Sequence, residues 1–306
     1  MIEVRELTKE YGDERVLDRL SFTAHPGEVT GLLGPSGSGK SVAMRIVLGT
    51  ESPTAGTVLV NGRSPNSTTR CTVAAMVGDH ELDGGLTVAD HLNHLAVGYG
   101  VSRRRVAEVL AETELSPVAG KFIGCLSTGV RQRLRIAGVL LSDAGVLLFD
   151  SPMTGLDPGR VRWAREQMHS LARAGRTVLV SGSDVGEMML NARRVFVLRV
   201  GEPVVEASVH ELADHFAGDV FVRSPRRGAL LRVLSRMGAT ALPEPGGGLA
   251  VTGMEAWQVA SAAAAHFIPI QELTPRVGTF EDSNWNEGAH TPKRQRRETR
   301  STIPTA

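Results

Sequence analysis

The sequence Gly-Pro-Ser-Gly-Ser-Gly-Lys-Ser at residues 34–41 decides the fold. It follows the apolar run 29–33 and precedes residues 42–48, which suit a helix. Glycines let a backbone curl until its N–H groups point at a phosphate, a lysine reaches the β and γ oxygens, and a final hydroxyl can bind Mg²⁺. The octet therefore predicts a nucleotide-binding loop. Its predicted ligand contacts are Gly34, Pro35, Ser36, Gly37, Ser38, Gly39, Lys40 and Ser41.

The composition indicates a globular protein with a large core. The chain has 306 residues, of which 42% are hydrophobic and 22% charged, and its net charge is +1. No uninterrupted apolar segment approaches the ~18 residues that a membrane span needs, and the first residues show no basic-then-apolar leader. Cys71 and Cys125 are too few for a disulfide framework or a metal cluster. We therefore expect a protein of the reducing cytosol.

The pattern of apolar residues places short strands around the loop and helices after it. Residues 2–7, 20–24 and 58–60 read as a small antiparallel sheet. Helical spacing covers residues 89–96, 102–113 and 131–141. Runs 146–150 and 177–181 read as buried parallel strands joined by a helix at 160–174. With the loop, this βαβ order predicts an α/β fold built on a P-loop NTPase core.

The pattern changes after about residue 215. Predicted strands at 220–222, 239–242, 249–251 and 267–270 alternate with helices at 227–237 and 256–266. The order βαββαβ favours a small α+β unit of the ferredoxin-like type. The last segment is polar and contains Lys-Arg-Gln-Arg-Arg at 293–297, which is more typical of a solvated disordered tail than of a contact with nucleic acid or anionic lipid.

Four further motifs follow the loop, and their order along the chain is informative. They are Leu-Ser-Thr-Gly-Val at 126–130, Arg-Gln-Arg at 131–133, the apolar run 146–149 ending in Asp150, and Thr-Gly-Leu-Asp-Pro at 154–158. Over about residues 1–215 this order resembles the ATP-binding subunits of ABC transporters, which carry an LSGGQ signature, a strand ending in Asp-Glu, an SGLD turn and a switch histidine.

The resemblance implies ATP and Mg²⁺ as ligands. In such subunits Tyr11 would stack on adenine, although packing explains a lone aromatic equally well. Ser41 and Asp150 would hold the metal, with Asp79 in the region where the family has a glutamine. Ser127 and Gly129 would contact an ATP held by the opposite subunit of a homodimer or heterodimer. The helices would meet an integral membrane permease, and no nucleic acid partner is expected.

The same resemblance fixes the expected domains and location. Residues 1–217 would form the ATP-binding domain, with a helical subdomain at about 85–142. A C-terminal domain at 218–283, similar to the extension of drug-export subunits, would precede the basic tail 284–306. The protein would be cytoplasmic and peripheral on the inner face of the cell membrane.

Departures from the family pattern fall on the catalytic positions, which are Asp150, Ser151 and Ser183. Ser151 replaces the glutamate that activates water, and a hydroxyl cannot act as that base at neutral pH. Ser183 replaces the switch histidine. Thr128 and Val130 also alter the signature, which should weaken its phosphate contact. Two interpretations stay open: a transporter subunit with slow hydrolysis, or a nucleotide-gated regulatory or scaffold protein.

Overall fold

A computed structural model describes residues 1–65, 72–78, 82–199, 205–215, 217–244 and 247–277. Within these ranges the strands form three sheets. The elements in chain order are β1 (Ile2–Tyr11), β2 (Glu14–Ala24), β3 (Val29–Leu33), α1 (Lys40–Leu48), β4 (Ala55–Val60), β5 (Val73–Met76), α2 (Val88–Tyr99), α3 (Arg103–Glu112), α4 (Thr128–Leu140), β6 (Val146–Phe149), α5 (Pro158–Arg173), β7 (Thr177–Gly182), α6 (Val185–Asn191), β8 (Arg194–Val197), β9 (Val205–Ala207), α7 (Val209–His215), β10 (Ala217–Arg223), α8 (Arg227–Arg236), β11 (Thr240–Pro243), β12 (Leu249–Thr252), α9 (Ala256–Ala265) and β13 (Glu272–Val277).

The central sheet has six strands in the order β5-β6-β7-β3-β8-β9. Its neighbours pair in parallel except β8 and β9, which are antiparallel. Along β6, Leu147 and Phe149 join the core cluster on the helical side, whereas Val146 and Leu148 join the cluster on the other side. This alternation is the period of a strand buried on both faces, which explains the continuous apolar run in the sequence.

The second sheet is antiparallel, in the order β2-β1-β4. It packs its apolar face on α1 and on the central sheet, with Ile2, Leu7 and Leu20 fully buried. The three strands predicted there are therefore present, and each is longer than the sequence indicated. This sheet lies beside the loop that begins after β3.

The helical region consists of α2, α3 and α4. Thr87 and Ser102 cap α2 and α3 by accepting hydrogen bonds from the backbone N–H groups of Asp90 and Arg105. Helix α4 begins at Thr128, earlier than the sequence predicted, because the extended residue is Ser127, with φ −66° and ψ 159°. The first turn of α4 therefore contains Gly129, which we had expected just before the helix.

The third sheet, in the order β11-β12-β10-β13, is antiparallel throughout and has its own apolar cluster with α8 and α9. The strand predicted at 267–270 is wrong. Phe267 is 87% exposed and has a φ of 52°, so the chain turns there after α9. The strand is β13, whose Pro275 pairs with Val220. Proline is tolerated because β13 is an edge strand, where one backbone face needs no donor.

Among the described helices, none combines the length and the apolar character needed to cross a bilayer. The predicted basic tail and Cys71 lie outside the described residues.

Candidate nucleotide site

The loop 34–41 joins β3 to α1 at the carboxyl edge of the central sheet. Gly37 and Gly39 have φ values of 82° and 89°, a left-handed backbone that side chains rarely adopt. At Gly34 an added Cβ would lie 2.3 Å from the carbonyl oxygen of Leu198, and at Gly39 it would lie 2.6 Å from a methyl of Leu17. Glycine is therefore required at position 37 for the left-handed backbone, at position 34 because no space is left for a side chain, and at position 39 for both reasons. The loop leaves the first N–H groups of α1 without intrahelical partners, as an anion site needs.

Lys40 is folded into the loop. Its side chain is buried, and Nζ donates to the carbonyl oxygens of Gly34 at 2.8 Å and Pro35 at 2.6 Å and to the Ser38 hydroxyl at 3.2 Å. Burial lowers the pKa of the ammonium, and the nearby Asp150 carboxylate opposes that shift. Oxygen acceptors thus already surround the charge that would face phosphate oxygens.

Asp150 follows β6 directly, and its carboxylate accepts hydrogen bonds from β7 and from the segment after β5. Oδ1 accepts a hydrogen bond from the Ser181 hydroxyl at 2.5 Å, and Oδ2 accepts one from the Gly78 backbone N–H at 3.2 Å. Ser181 lies in β7 and is 2% exposed. Our sequence reasoning missed Ser181, because a serine within a strand carries no signal of a partner on the neighbouring strand.

Ser41 and Asp150 line one cavity of about 690 Å³, together with Ser36, Gly78 and Ser151. A hydroxyl and a carboxylate are hard oxygen donors of the kind that Mg²⁺ binds. Both side chains therefore fit the metal that the resemblance implies. The third predicted ligand, Asp79, lies outside the described residues.

The segment 150–157, here called the Asp150 turn, carries Ser151 in a left-handed conformation with φ 49°. The Ser151 N–H donates to the Ser181 hydroxyl at 3.0 Å, and its carbonyl accepts from the Gln132 side chain at 3.0 Å. Ser151 and the exposed Ser183 line a second cavity, of about 480 Å³. The structure thus brings these two serines to one place.

Two aspartates near these serines are occupied by helix caps. Asp157 accepts from the backbone N–H of Arg160 at 3.1 Å as the N-cap of α5. Asp184 accepts from the backbone N–H of Glu187 at 2.8 Å as the N-cap of α6. Each carboxylate thus uses one of its oxygens to stabilise the start of its helix.

Tyr11 ends β1 and is 45% exposed. Its hydroxyl donates to the Glu51 carboxylate, and the Lys9 ammonium lies 4.9 Å from the ring centroid. These contacts fix the ring at the surface of the antiparallel sheet. Stacking on adenine stays a prediction.

The predicted trans contacts lie at the start of α4. Ser127 is exposed, and within the described residues its hydroxyl makes no capping bond to the helix. Gly129 packs against the Asp150 turn, where an added Cβ would lie 3.0 Å from the Gly155 carbonyl oxygen. The Ser127 hydroxyl and the N–H groups of this first turn are therefore available to a phosphate from a second subunit.

Comparisons with known proteins agree with this geometry. A family model described as ABC transporter matches residues 17–154, and one described as a domain of unknown function matches residues 218–281. The chain is similar to the Nod factor export ATP-binding protein I of Cupriavidus metallidurans, with 32% identity over 227 residues, covering 71% of this chain and 74% of that protein. The protein of the same name from Burkholderia orbicola is 34% identical over 224 residues, with the same two coverages, 71% and 74%.

Solved structures show the same likeness. The structure of an ATP-binding subunit of an ABC transporter has a TM-score of 0.64 and 26% identity, covering 71% of this chain and 93% of that one. A dimeric ATP-binding cassette in a post-hydrolysis state, bound to ADP and Pi, has a TM-score of 0.62 and 25% identity, covering 68% of this chain and 99% of that one.

Proposed function

The chain belongs to the ABC transporter family of ATP-binding proteins, and from this premise we propose that it binds MgATP and pairs on ATP with a second ATP-binding subunit while hydrolysing ATP slowly. The observation that carries the proposal is a contrast at one edge of the sheet. The phosphate loop surrounds the Lys40 ammonium with oxygen acceptors, whereas Ser151 and Ser183, which line one cavity, are the residues that the family resemblance puts in place of its base and its switch histidine.

Binding would rest on the loop and the metal pair. The backbone N–H groups of residues 34–41 and the Lys40 ammonium would hold the β- and γ-phosphates. Ser41 and Asp150 would hold Mg²⁺, which they can reach through a common cavity. Tyr11 would contact adenine, and Ser127 and Gly129 would close the site of the partner subunit. None of these contacts requires Ser151.

Slow hydrolysis follows from the chemistry of the two serines. A positioned general base contributes roughly 10²- to 10⁴-fold to a rate, and a serine hydroxyl holds its proton too tightly at neutral pH to supply that term. Asp157 and Asp184 each have one carboxylate oxygen engaged in a helix cap. Closed ATP-bound pairs should therefore live longer than those of family members with the glutamate.

The partner in the membrane would be a separate permease of an export system, docked on the helices α2 to α4 at the inner face of the cell membrane. The similar proteins named for Nod factor export support an export role. The unit from β10 to β13 would be an accessory domain.

A regulatory or scaffold role is the second candidate, favoured by the same two serines. Such a protein would bind ATP and close without useful turnover. The two roles can be separated by isolating a membrane protein that co-purifies with this chain and reconstituting the two together. A transport subunit should hydrolyse ATP faster when its permease is present.

Phosphate release by the purified protein tests the proposal. We expect the wild type to turn over well below the ordinary enzyme rate of about 1 s⁻¹, and Ser151→Glu to accelerate it at least about tenfold. Ser151→Glu/Ser183→His should be faster still. Ser151→Gln is the matched control, since it adds the length without the base and should not accelerate. Ordinary turnover in the wild type, unaltered by Ser151→Glu, would show that another residue is the base.

A further inference from the structure

Gln132 links helix α4 to the Asp150 turn within one chain. Its side chain is 8% exposed, and Nε2 donates to the carbonyl oxygens of both Ser151 and Pro152 at 3.0 Å. An amide NH₂ carries two N–H donors, so one side chain can satisfy both carbonyls. The turn is thus fixed to the helix by two hydrogen bonds, one buried and one partly buried.

A second contact joins the same two segments. A Cβ added to Gly155 would lie 3.1 Å from the Thr128 methyl group. A Cβ added to Gly129 would lie 3.0 Å from the Gly155 carbonyl oxygen. Gly155 has a φ of 76°, which suits glycine. The first turn of α4 and the Asp150 turn therefore also meet at Gly155, apart from the hydrogen bonds of Gln132.

We propose that Gln132 is a positioning residue that makes the Asp150 turn and the first turn of α4 move as one body. On its other side the turn is held by Ser181, which bridges the Asp150 carboxylate and the Ser151 N–H. A change at the metal site would then pass through the Ser151 backbone to Gln132 and on to Ser127 and Gly129. This inference rests on the proposed function for its consequence, since those two residues face the nucleotide of the partner subunit.

The direction of the effect follows from what each site uses. Nucleotide binding within one chain would rest on the loop 34–41 and on Asp150, whose carboxylate is held by Ser181 and Gly78. Gln132 lines the same cavity, but its described hydrogen bonds go to the carbonyls of Ser151 and Pro152 and not to the loop or the carboxylate. Pairing depends on where α4 presents Ser127 and Gly129. Loss of the link should therefore leave ATP affinity intact and weaken ATP-driven pairing.

The experiment compares the full chain carrying Gln132→Met with the wild type. Methionine is close to glutamine in length and volume but donates no hydrogen bond. Gln167→Met, the same change on α5, is the matched control. Three quantities are measured: MgATP affinity by calorimetry, pairing by light scattering with and without MgATP, and amide hydrogen exchange in peptides covering 127–133 and 151–156.

We expect Gln132→Met to keep its MgATP affinity within about twofold, to exchange about tenfold faster in both peptides, and to pair about tenfold more weakly. Gln167→Met should match the wild type in all three. Wild-type exchange in both peptides of Gln132→Met would overturn the proposal. So would a loss of ATP affinity with faster exchange throughout the α/β core, since that is the signature of general loosening.

Two further outcomes remain decisive. If the wild type itself shows no ATP-driven pairing, the proposed function fails, while the exchange of the two peptides still tests the link. If Gln132→Met is insoluble, Gln132→Asn replaces it. Asparagine is one methylene shorter and cannot reach both carbonyls, so it should raise exchange at 151–156 by a smaller factor, and unchanged exchange would count against the link.

Discussion

The phosphate loop and the Asp150 turn lie at the same edge of one sheet, yet they differ in how they depend on sequence. The loop works through backbone N–H groups and one lysine, all within residues 34–41, and its glycines are enforced by left-handed φ values and by close contacts. The turn works through single side chains supplied by different strands. Ser151, with a left-handed φ of 49°, makes backbone hydrogen bonds to the side chains of Ser181 and Gln132.

If the proposed function holds, this difference means that hydrolysis can be lost while nucleotide binding is kept. A substitution in the loop affects conformation, space and charge together, whereas a substitution after β6 removes one functional group from an intact frame. The frame survives here, because Asp150 keeps its hydrogen bonds to Ser181 and Gly78.

The largest effect should come from Lys40→Ala, which removes the charge at the centre of the loop. Charge-assisted hydrogen bonds to phosphate contribute about 1.5–3 kcal/mol each, so we expect MgATP affinity to fall at least about 100-fold in a calorimetric titration. Lys121→Ala, a change of the same kind at an exposed lysine, should leave affinity within about twofold. Equal MgATP affinity for Lys40→Ala and the wild type would show that the loop does not bind the nucleotide through this lysine.

A pair of glycine variants sharpens the loop side. Gly39→Ala would place a methyl group 2.6 Å from Leu17 and 2.9 Å from the Val16 carbonyl oxygen, in addition to backbone strain at φ 89°. Gly37→Ala has similar strain at φ 82° but open space around the added methyl. Strain alone costs about 1–2 kcal/mol. We therefore expect Gly39→Ala to lose more than about tenfold of nucleotide affinity and Gly37→Ala to lose less, and the reverse order would contradict this account.

The sequence predicted the loop and the core strands well because both are local. An octet with fixed spacing and apolar runs of four or five residues need no knowledge of the rest of the chain. The same reasoning failed at β13. It placed the last strand on the apolar run 267–270, whereas the observed edge strand contains Pro275 and charged residues.

The contacts of Ser181 and Gln132 could not be predicted in this way, although Gln132 belongs to one of the motifs that carry the family resemblance. Each acts on a residue that lies 19 to 31 positions away in the chain, so its role appears only when neighbouring elements are in place. Polar residues inside a strand or on a helix give no sign of which backbone or carboxylate they will meet. The trans contacts are harder still, since they require a second subunit.

Ser181→Ala tests the frame around the turn. Removing the hydroxyl takes one donor from the Asp150 carboxylate and one acceptor from the Ser151 N–H. Hydrogen bonds to charged groups contribute about 1.5–3 kcal/mol, and we expect the Mg²⁺ concentration for half-maximal ATP binding to rise about tenfold. Affinity for ATP in the presence of a chelator should stay within about twofold, because the loop is untouched.

Ser170→Ala, at an exposed position on α5, is the control for this variant. It should leave both the metal dependence and the affinity unaltered. If Ser181→Ala also binds ATP with the wild-type dependence on Mg²⁺, Asp150 does not need its hydrogen bond from β7, and the frame of the turn is less important than the comparison assumes.

The smallest effect on ATP affinity should follow from removing the C-terminal unit. The cluster of β10 to β13 with α8 and α9 is separate from the two clusters that surround the loop, and Leu212 of α7 is fully buried in the helical-side cluster. Since β10 begins at Ala217, we would end the fragment after residue 215 rather than within that strand. A unit with its own core can fold alone.

The fragment should stay soluble and bind MgATP within about twofold of the full chain, with weaker pairing as its main defect, measured by calorimetry and light scattering. Aggregation without recoverable nucleotide binding would show that the loop and the Asp150 turn depend on the third sheet, and that their contrast is not a property of the N-terminal unit alone.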